Sequence, residues 1–551
     1  MPTRYDHEPA GRPSVMARRG GAVGFVLLMA VFSLVCVAVQ IFVGAYHADL
    51  GTSGDEAGHF VNSLLVYDYV RRGLFTNPMH FALNYYFHWP RVSIGHWPPL
   101  FYPIQALAFA VAGRSVATAL GVQALVAGAA AGWAAWLAWR RLGWMPGLAT
   151  GAVVLASPFL LYSVDLIMVD TALGLWLLAA ALTWGHFARR PGLGRAILFA
   201  FCASCAILTK GNGIALVLLP PLHAALTRNP GPLRDWRAWI AALLVGLATA
   251  PWYVLTYRMA AGGFVYAWGW HYTRLAVPYY LLAFPGSVGA LGVVGVIAGL
   301  VGLVRRTDGW RDDTPASLAA LVLAVLIFQM IAPADLLARY LIALVPAGAV
   351  LAALGLAALV RGIGRDRHPT LATVAVAVLL LLDAASMFRM PHVSPYGMGA
   401  IAHRIITAHD ANVTVLAAGD DHAEAALIAA FAVEDPAQKF YVLRASQELA
   451  TTNFMGSHYA ARFAHAAEVT DWLRDSGIGW LVIGLSHGSL AMRHDRELLD
   501  SLRMPGAPWT LVADPTGPHG EVLLYRLSRR PVTQGQVHAL LRRVMPSTLS
   551  H

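Results

Sequence analysis

"GFVLLMAVFSLVCVAVQIFVGAYHADLGTSGDEAGHF", residues 24–60, joins a long apolar run directly to two adjacent carboxylates, Asp55 and Glu56. The run from 24 to 45 carries no charge and exceeds the roughly 18 apolar residues that a membrane helix requires. It is also longer than the roughly 7 to 15 residue core of a signal peptide and has no clear small-residue cleavage site before the acids, so it reads as a retained anchor. The rest of the chain agrees: 57% of its residues are hydrophobic and 13% charged, with a mean hydropathy of +0.56. Such a composition excludes a soluble protein and describes a polytopic α-helical membrane protein.

Apolar runs beginning near residues 22, 116, 146, 168, 194, 212, 237, 287, 316, 340 and 370 predict about eleven transmembrane helices. Arginine placement orients them. With the tail of residues 1–20 (Arg4, Arg12, Arg18, Arg19) in the cytoplasm, five alternate connections also fall inside: Arg140 and Arg141; Arg189, Arg190 and Arg195; Arg228, Arg234 and Arg237; Arg305, Arg306 and Arg311; Arg361, Arg365 and Arg367. That is the positive-inside pattern. The apolar stretch "PPLFYPIQALAFAVAG" would invert all later clusters if it crossed, so it reads as a helix lying at the outer interface. The formal charge of +10 thus reflects orientation in a cell membrane, and no nucleic-acid partner is needed to explain it.

An odd number of spans carries residues 391–551 to the outer side, away from the helical part at 21–390. There "VTVLAAG", "FYVLRA", "WLVIGLS" and "EVLLYRL" read as strands, with helices at "AEAALIAAF" and "RELLDSLR", an α/β unit. Just after the first strand, Asp420 and Asp421 offer either a ligand site or, since Asp421 and Glu424 have capping-box spacing, a cap for the next helix. Cys36, Cys202 and Cys205 all lie in apolar segments, so no disulfide framework is written here.

The polar residues that this topology collects outside are the candidates for chemistry. The first outer loop, 47–115, is far longer than a usual connection and rich in His, Tyr, Trp and Pro, and loops of that length carry function. Later connections hold Asp165 and Asp170, then Lys210, then His271 and Arg274, then Arg339 and Tyr340. Each has a structural alternative. Ser53 and Glu56 have capping-box spacing, which would leave Asp55 free. Asp170 would serve equally as a helix cap. Lys210 is one of only two lysines against 38 arginines, so it was not chosen as generic positive charge; it would either snorkel to lipid or meet a phosphate. Four loop histidines, His59, His80, His88 and His96, match no standard metal motif, so no metal ligand or cofactor is assigned and a divalent ion stays open.

In order along the chain, "DE" after the first span, "PPLFY" closing the long loop, "VDTALGLWLL", "LTKG", "PWY" and "RYLIALVP" resemble the GT-C membrane glycosyltransferases, in the branch of the protein O-mannosyltransferases and lipid A aminoarabinose transferases. The likeness covers about residues 20 to 390 and is carried by motif order. It implies a transferase that moves a sugar from a polyprenyl-phosphate donor to a glycolipid, polysaccharide or protein acceptor on the non-cytoplasmic face. Carried over, Asp55 becomes the base at the acceptor, with Glu56, Asp170 and His96 supporting it or binding the acceptor. Lys210, Arg339, Tyr340 and Arg274 become the donor phosphate partners. One departure is "GHWPP", where relatives often place a charged residue before Pro-Pro; His96 stands near that point. A lipid-linked glycan flippase would also place charges in a polytopic chain, and an O-antigen polymerase or ligase would share the donor.

Overall fold

The computed structural model describes residues 15–261, 265–305, 313–333, 335–364, 369–393, 397–451, 459–485, 491–513, 516–517 and 520–544. Most of the N-terminal tail, with Arg4 and Arg12, lies outside the described residues, as do Arg306, Arg311, Arg365 and Arg367.

A helix begins near each of the positions expected for a span, but the helices are unequal. Seven are long and apolar enough to cross a membrane: Gly21–Phe42, Val116–Leu142, Asp170–Arg189, Trp236–Met259, Asp313–Ile331, Ala338–Ile363 and Pro369–Met387. Two more candidates, Trp144–Val164 and Trp270–Arg305, are bent pairs, turning by 73° and 103°. Leu193–Thr209 and Gly211–Thr227 fall short of the length required of a span. Seventeen residues rise only about 25 Å, against about 30 Å of hydrocarbon. Among the described residues, length and composition alone thus support seven of the expected eleven spans, or nine with the bent pairs.

Burial distinguishes the spans by position. Ala338–Ile363 runs through the centre, with 89% of its most apolar window buried, whereas the corresponding value for Trp236–Met259 is 11%. Trp239, Leu243, Leu247, Val254 and Leu255 are exposed on the latter. A polytopic chain satisfies such a surface with lipid.

The stretch read as an interfacial helix forms a helix too short to count among the spans. Phe101–Ala112 has twelve residues, buries Phe101, Tyr102, Gln105, Ala106 and Phe109 on one face, and exposes Ile104, Leu107 and Val111 on the other. Its buried face lies on the helix Gly54–Asp68 of the long outer loop, where Ser63 Oγ donates to Gln105 Oε1 at 2.7 Å and Phe60 meets Phe109 edge to face.

The C-terminal part contains eight strands: β1 (Thr414–Gly419), β2 (Tyr441–Arg444), β3 (Ala450–Thr451), β4 (Ala460–Ala461), β5 (Trp480–Leu485), β6 (Thr510–Ala513), β7 (Thr516–Gly517) and β8 (Gly520–Arg526). The main sheet runs β2-β1-β5-β8-β6. β1 pairs in parallel with both β2 and β5, while β8 is antiparallel to β5 and β6. All six residues of β1 are buried, as a central strand covered on both faces requires. The four segments read as strands are β1, β2, β5 and β8; β6 and the helix Met398–Thr407 were not read from the sequence.

One sequence expectation is corrected here. The cap of the helix Asp421–Glu434 is Asp420, whose side chain accepts from Ala423 N–H at 2.8 Å. Asp421 and Glu424 are occupied elsewhere, because two buried-side arginines compete for them: Arg91 meets Asp421 at 2.6 Å and Arg444 meets Glu424 at 2.8 Å.

A single hydrophobic cluster joins the outer loop to this C-terminal part. Ala57, Phe60, Val61, Trp89, Phe101 and Phe109 pack in one core with Ala423, Ala426, Leu427, Phe431, Val415 and Trp480. The loop and the sheet therefore share one core, which also takes in Ala119, Leu120, Ile167, Val169 and Ala172 of the helical part.

Candidate functional site at the helix ends

The site assembles where that loop helix meets the ends of three membrane-region elements. Ser53 and Glu56 form the capping box that opens the helix Gly54–Asp68. Ser53 N–H donates to Glu56 Oε2 at 3.2 Å. The Glu56 side chain is consumed by this task and is 2% exposed. Burial pushes its carboxyl up to about 8, against the lowering effect of the Ser53 and Thr52 backbone N–H groups. This corrects its assignment as an acceptor-binding residue: in the fold it is the helix cap.

Asp55, one position earlier, points elsewhere, since neighbouring positions on a helix diverge by about 100°. Its carboxylate forms a short ion pair with the Arg339 guanidinium and stays 36% exposed, open to a substrate. Burial works to raise its pKa; Arg339, then His59 and Lys210, outweigh that and hold the carboxyl below the usual carboxylate range. Asp55 is thus a carboxylate at neutral pH, able only to accept a proton.

Arg339 and Tyr340 come from the 3-10 stretch Ala338–Leu344, which leads into the central helix Val345–Gly364. Lys210 lies just past the C-terminal end of Leu193–Thr209, where a helix dipole favours a cation. Asp170 is the first residue of Asp170–Arg189, where the dipole favours an anion. Lys210 Nζ meets Asp170 Oδ1 at 2.6 Å and sits 4.8 Å from the centre of the Tyr340 ring. The Arg339 guanidinium is 6.0 Å from the same ring. One aromatic ring therefore lies beside both cations. The N-cap position of this helix is Val169, which makes no side-chain bond, and the Asp170 carboxylate is turned to the lysine. Its Oδ2 and the Nε of Arg339 are buried with no hydrogen-bond partner among the described residues.

His59 completes the group. It lies four residues after Asp55, one turn along the same helix face. Its ring packs on Trp97 at 4.1 Å between centres, and its Nδ1 is 3.1 Å from the Tyr102 hydroxyl. Burial pulls its pKa down to about 4 despite the opposing pull of Asp55, so the imidazole is neutral. Gly58 makes this contact possible, because a side chain there would collide with the Trp97 ring at 2.9 Å. The reading of His59 as one of four candidate metal histidines missed this role; the four-residue step from Asp55 was the available signal.

No protein-family model and no curated protein matches this sequence. Solved structures do. ArnT from Cupriavidus metallidurans in the apo state superposes with a TM-score of 0.58 at 15% identity, covering 93% of this chain and 99% of that one. The same protein bound to undecaprenyl phosphate gives 0.56 at 15% identity, covering 91% and 98%. The Archaeoglobus fulgidus oligosaccharyltransferase in complex with zinc and sulfate gives 0.52 at 11% identity, covering 83% and 68%. The chain shares the fold of these proteins. At these identities the likeness is one of architecture, that of a multi-pass membrane protein, and it extends past the helical part over the C-terminal sheet.

Within this fold some candidate residues stand apart from the cluster. Arg274, on the helix Trp270–Ala283, is exposed and joins none of the ion pairs described for the cluster, so its assignment to the phosphate is not supported by a contact. His96 is half-buried in the loop, with burial lowering its pKa; its neighbour Trp97 is the residue that meets His59. The loop histidines disperse: His88 hydrogen-bonds the Phe440 carbonyl at 2.8 Å and stacks on Tyr441, and His80 is exposed. Among the described residues no three His, Cys, Asp or Glu side chains are grouped to hold a metal ion. Asp165 is buried, and neither of its carboxylate oxygens has a hydrogen-bond partner among the described residues, so it forms no bonded pair with Asp170.

Proposed function

We propose that this protein is a membrane glycosyltransferase that moves a sugar from a polyprenyl-phosphate donor to a hydroxyl acceptor on the extracytoplasmic face of the cell membrane. The observation that carries the reading is the convergence of Asp55, Arg339, Lys210 and Asp170, from four separated parts of the sequence, into paired charges around one aromatic ring. Support comes also from the fold neighbours, one of which was crystallised bound to undecaprenyl phosphate.

In this reading the acceptor oxygen attacks the anomeric carbon while the bond from that carbon to the donor phosphate oxygen breaks. The acceptor proton passes to the Asp55 carboxylate. The electron pair leaves on the phosphate, where Lys210 and Arg339, in a partly buried groove, stabilise the growing charge. Tyr340 holds the two cations apart, and Asp170 keeps Lys210 aimed. Attack opposite the leaving phosphate inverts the anomeric configuration; Glu56, committed to its cap, offers no second nucleophile of the kind a retaining route uses. His59, neutral against Trp97, forms a wall beside the base.

The same proposal sets the chain with its N-terminus inside and residues 391–551 outside, as the arginine pattern suggests. The two short apolar helices, Leu193–Thr209 and Gly211–Thr227, then act as thin spans meeting at Lys210, which brings the total to about eleven.

The test is reconstitution of the full chain in liposomes carrying a polyprenyl-phosphate sugar, with mass spectrometry of lipid-linked sugars and envelope glycans from cells with and without the gene. Accumulation of a lipid-linked monosaccharide and loss of one glycan substituent on deletion is the expected result. Accumulation of a whole lipid-linked glycan points instead to a polymerase or ligase, and unchanged lipid-linked sugars remove the proposal.

A further inference from the structure

The residues leading into Asp55 are tied to the C-terminal part at three successive points. Asp49 accepts from the backbone N–H groups of Gly397 at 2.6 Å, Met398 at 3.2 Å and Gly399 at 3.1 Å. These open the helix Met398–Thr407, where the dipole favours a carboxylate. Two residues on, the Gly51 carbonyl is 2.9 Å from His422 Nδ1, which donates to it when that nitrogen carries the proton. Then Gly54, immediately before Asp55, lies flat against the Asp421 carboxylate: a side chain at Gly54 would overlap Asp421 Oδ2, with Arg91 Nη2 next nearest at 3.4 Å.

Asp421 is itself fixed from both sides. Arg91 of the outer loop meets its Oδ2 at 2.6 Å and also donates to its backbone carbonyl at 2.9 Å, while Arg444 meets its Oδ1 at 3.0 Å. Arg444 is anchored in turn on Glu424 at 2.8 Å. From the membrane side, the Tyr162 hydroxyl donates to the Thr52 carbonyl at 3.3 Å. The strap 49–54 is therefore held between the C-terminal and helical parts, and the helix start that carries Asp55 is set by where Asp421 stands.

We propose that the C-terminal α/β part positions the base Asp55 through this strap, with Asp421 as the positioning residue. The inference rests on the glycosyltransferase reading and assigns the α/β part a role in the reaction's geometry. A rigid strap fits the demand of the chemistry, because a shift of about 1 Å in a reacting group can cost about a hundredfold in rate.

The test is a double-mutant cycle in the full-length chain reconstituted with a polyprenyl-phosphate sugar. Gly54→Ala drives a methyl group into the Asp421 carboxylate and lowers kcat by about a hundredfold. Asp421→Ala releases the strap and lowers kcat by about tenfold, the smaller displacement. In the Asp421→Ala background, Gly54→Ala adds nothing further, because the atom it strikes is gone. Displacement of Asp55 from Arg339 also weakens the interaction that, with His59 and Lys210, holds its carboxyl low. The acid limb of the kcat profile therefore moves to higher pH in Asp421→Ala, which a loss of folded protein alone would not produce. Hydrogen exchange over residues 49–60 reads the strap without turnover and speeds up in the same variant.

Additive losses in the cycle, or an Asp421→Ala chain with wild-type kcat and acid limb, overturn the positioning role. If Gly54→Ala does not fold, Asp421→Ala alone still decides through its pH profile. A wild-type chain that transfers no sugar overturns the glycosyltransferase reading instead, whatever the strap does, so the two failures are distinguishable.

Discussion

Two buried carboxylates in this molecule, Glu424 and Asp170, are each paired with a cation and differ in how completely their oxygens are satisfied. In the C-terminal part, Glu424 uses both oxygens, accepting from Arg444 Nε at 2.8 Å, Ser446 N–H at 2.8 Å and Ser446 Oγ at 2.6 Å. At the helix ends, Asp170 Oδ2 and Arg339 Nε have no hydrogen-bond partner among the described residues, and Asp55 remains 36% exposed. A satisfied network holds a structure; one with unused donors and acceptors beside an opening can exchange partners with a ligand. Glu424 is spent on structure, and the group around Asp170 is left to act.

The largest expected effect breaks the comparison at its reactive end. Asp55→Asn keeps the shape and removes the proton acceptor, so kcat falls by about 10²- to 10⁴-fold while KM for the donor changes little. Steady-state transfer in liposomes measures it, and a KM effect without a kcat effect would move Asp55 from base to binding residue. Next comes Lys210→Ala, which removes one phosphate donor and lowers kcat/KM by about 10²-fold. Were the lysine only an anchor in lipid, transfer would survive its loss.

The third prediction addresses the satisfied network. Glu424→Gln leaves the buried Arg444 with a weaker partner and destabilises the fold by up to about 3 kcal/mol, seen as a lower Tm, while kcat of the folded molecules changes little. A large kcat loss at unchanged Tm would erase the distinction between the two carboxylates.

The smallest effect concerns Glu56. Its carboxyl is raised by burial to about 8 in the fold, so between the usual carboxyl range and that value the native chain holds a proton that the unfolded chain has lost. Stability from this group therefore falls as pH rises through that window. Glu56→Gln, which keeps an acceptor for Ser53 N–H, is expected to be more stable than wild type near pH 8, with the gap closing toward acid pH. Thermal unfolding across that range checks the sign.

Much of this architecture was legible in the sequence. Long uncharged runs cannot remain in water, so helix positions emerged from composition, and the exclusion of "PPLFYPIQALAFAVAG" from the spans followed from arginine placement alone. Span number was less legible, because apolar content does not report bending: the turns of 73° and 103° depend on packing. Asp55, Lys210 and Arg339 were marked by type and rarity. Arg274 and Glu56 were marked by the same signals, but Arg274 joins none of the cluster's described ion pairs and Glu56 caps its helix, since sequence order fixes which residues can reach one membrane face but not which way each side chain turns. Spacing likewise suggested Asp421 as a helix cap, and the fold uses Asp420, because two arginines distant in sequence claim Asp421 and Glu424.

The sequence by itself determined that this chain crosses a membrane repeatedly, which residues lie at its helix ends, and that Ser53 and Glu56 open the loop helix. Those outcomes depend on hydrophobicity, charge and local hydrogen bonding, all encoded within a few turns of chain. Only the tertiary structure decided that Asp55 faces Arg339, that Asp170 faces Lys210, and that a carboxylate 366 positions after Asp55 lies against Gly54. These pairings join segments whose separation in sequence carries no distance information, and the last of them lies where the loop helix and the C-terminal part bury a common core.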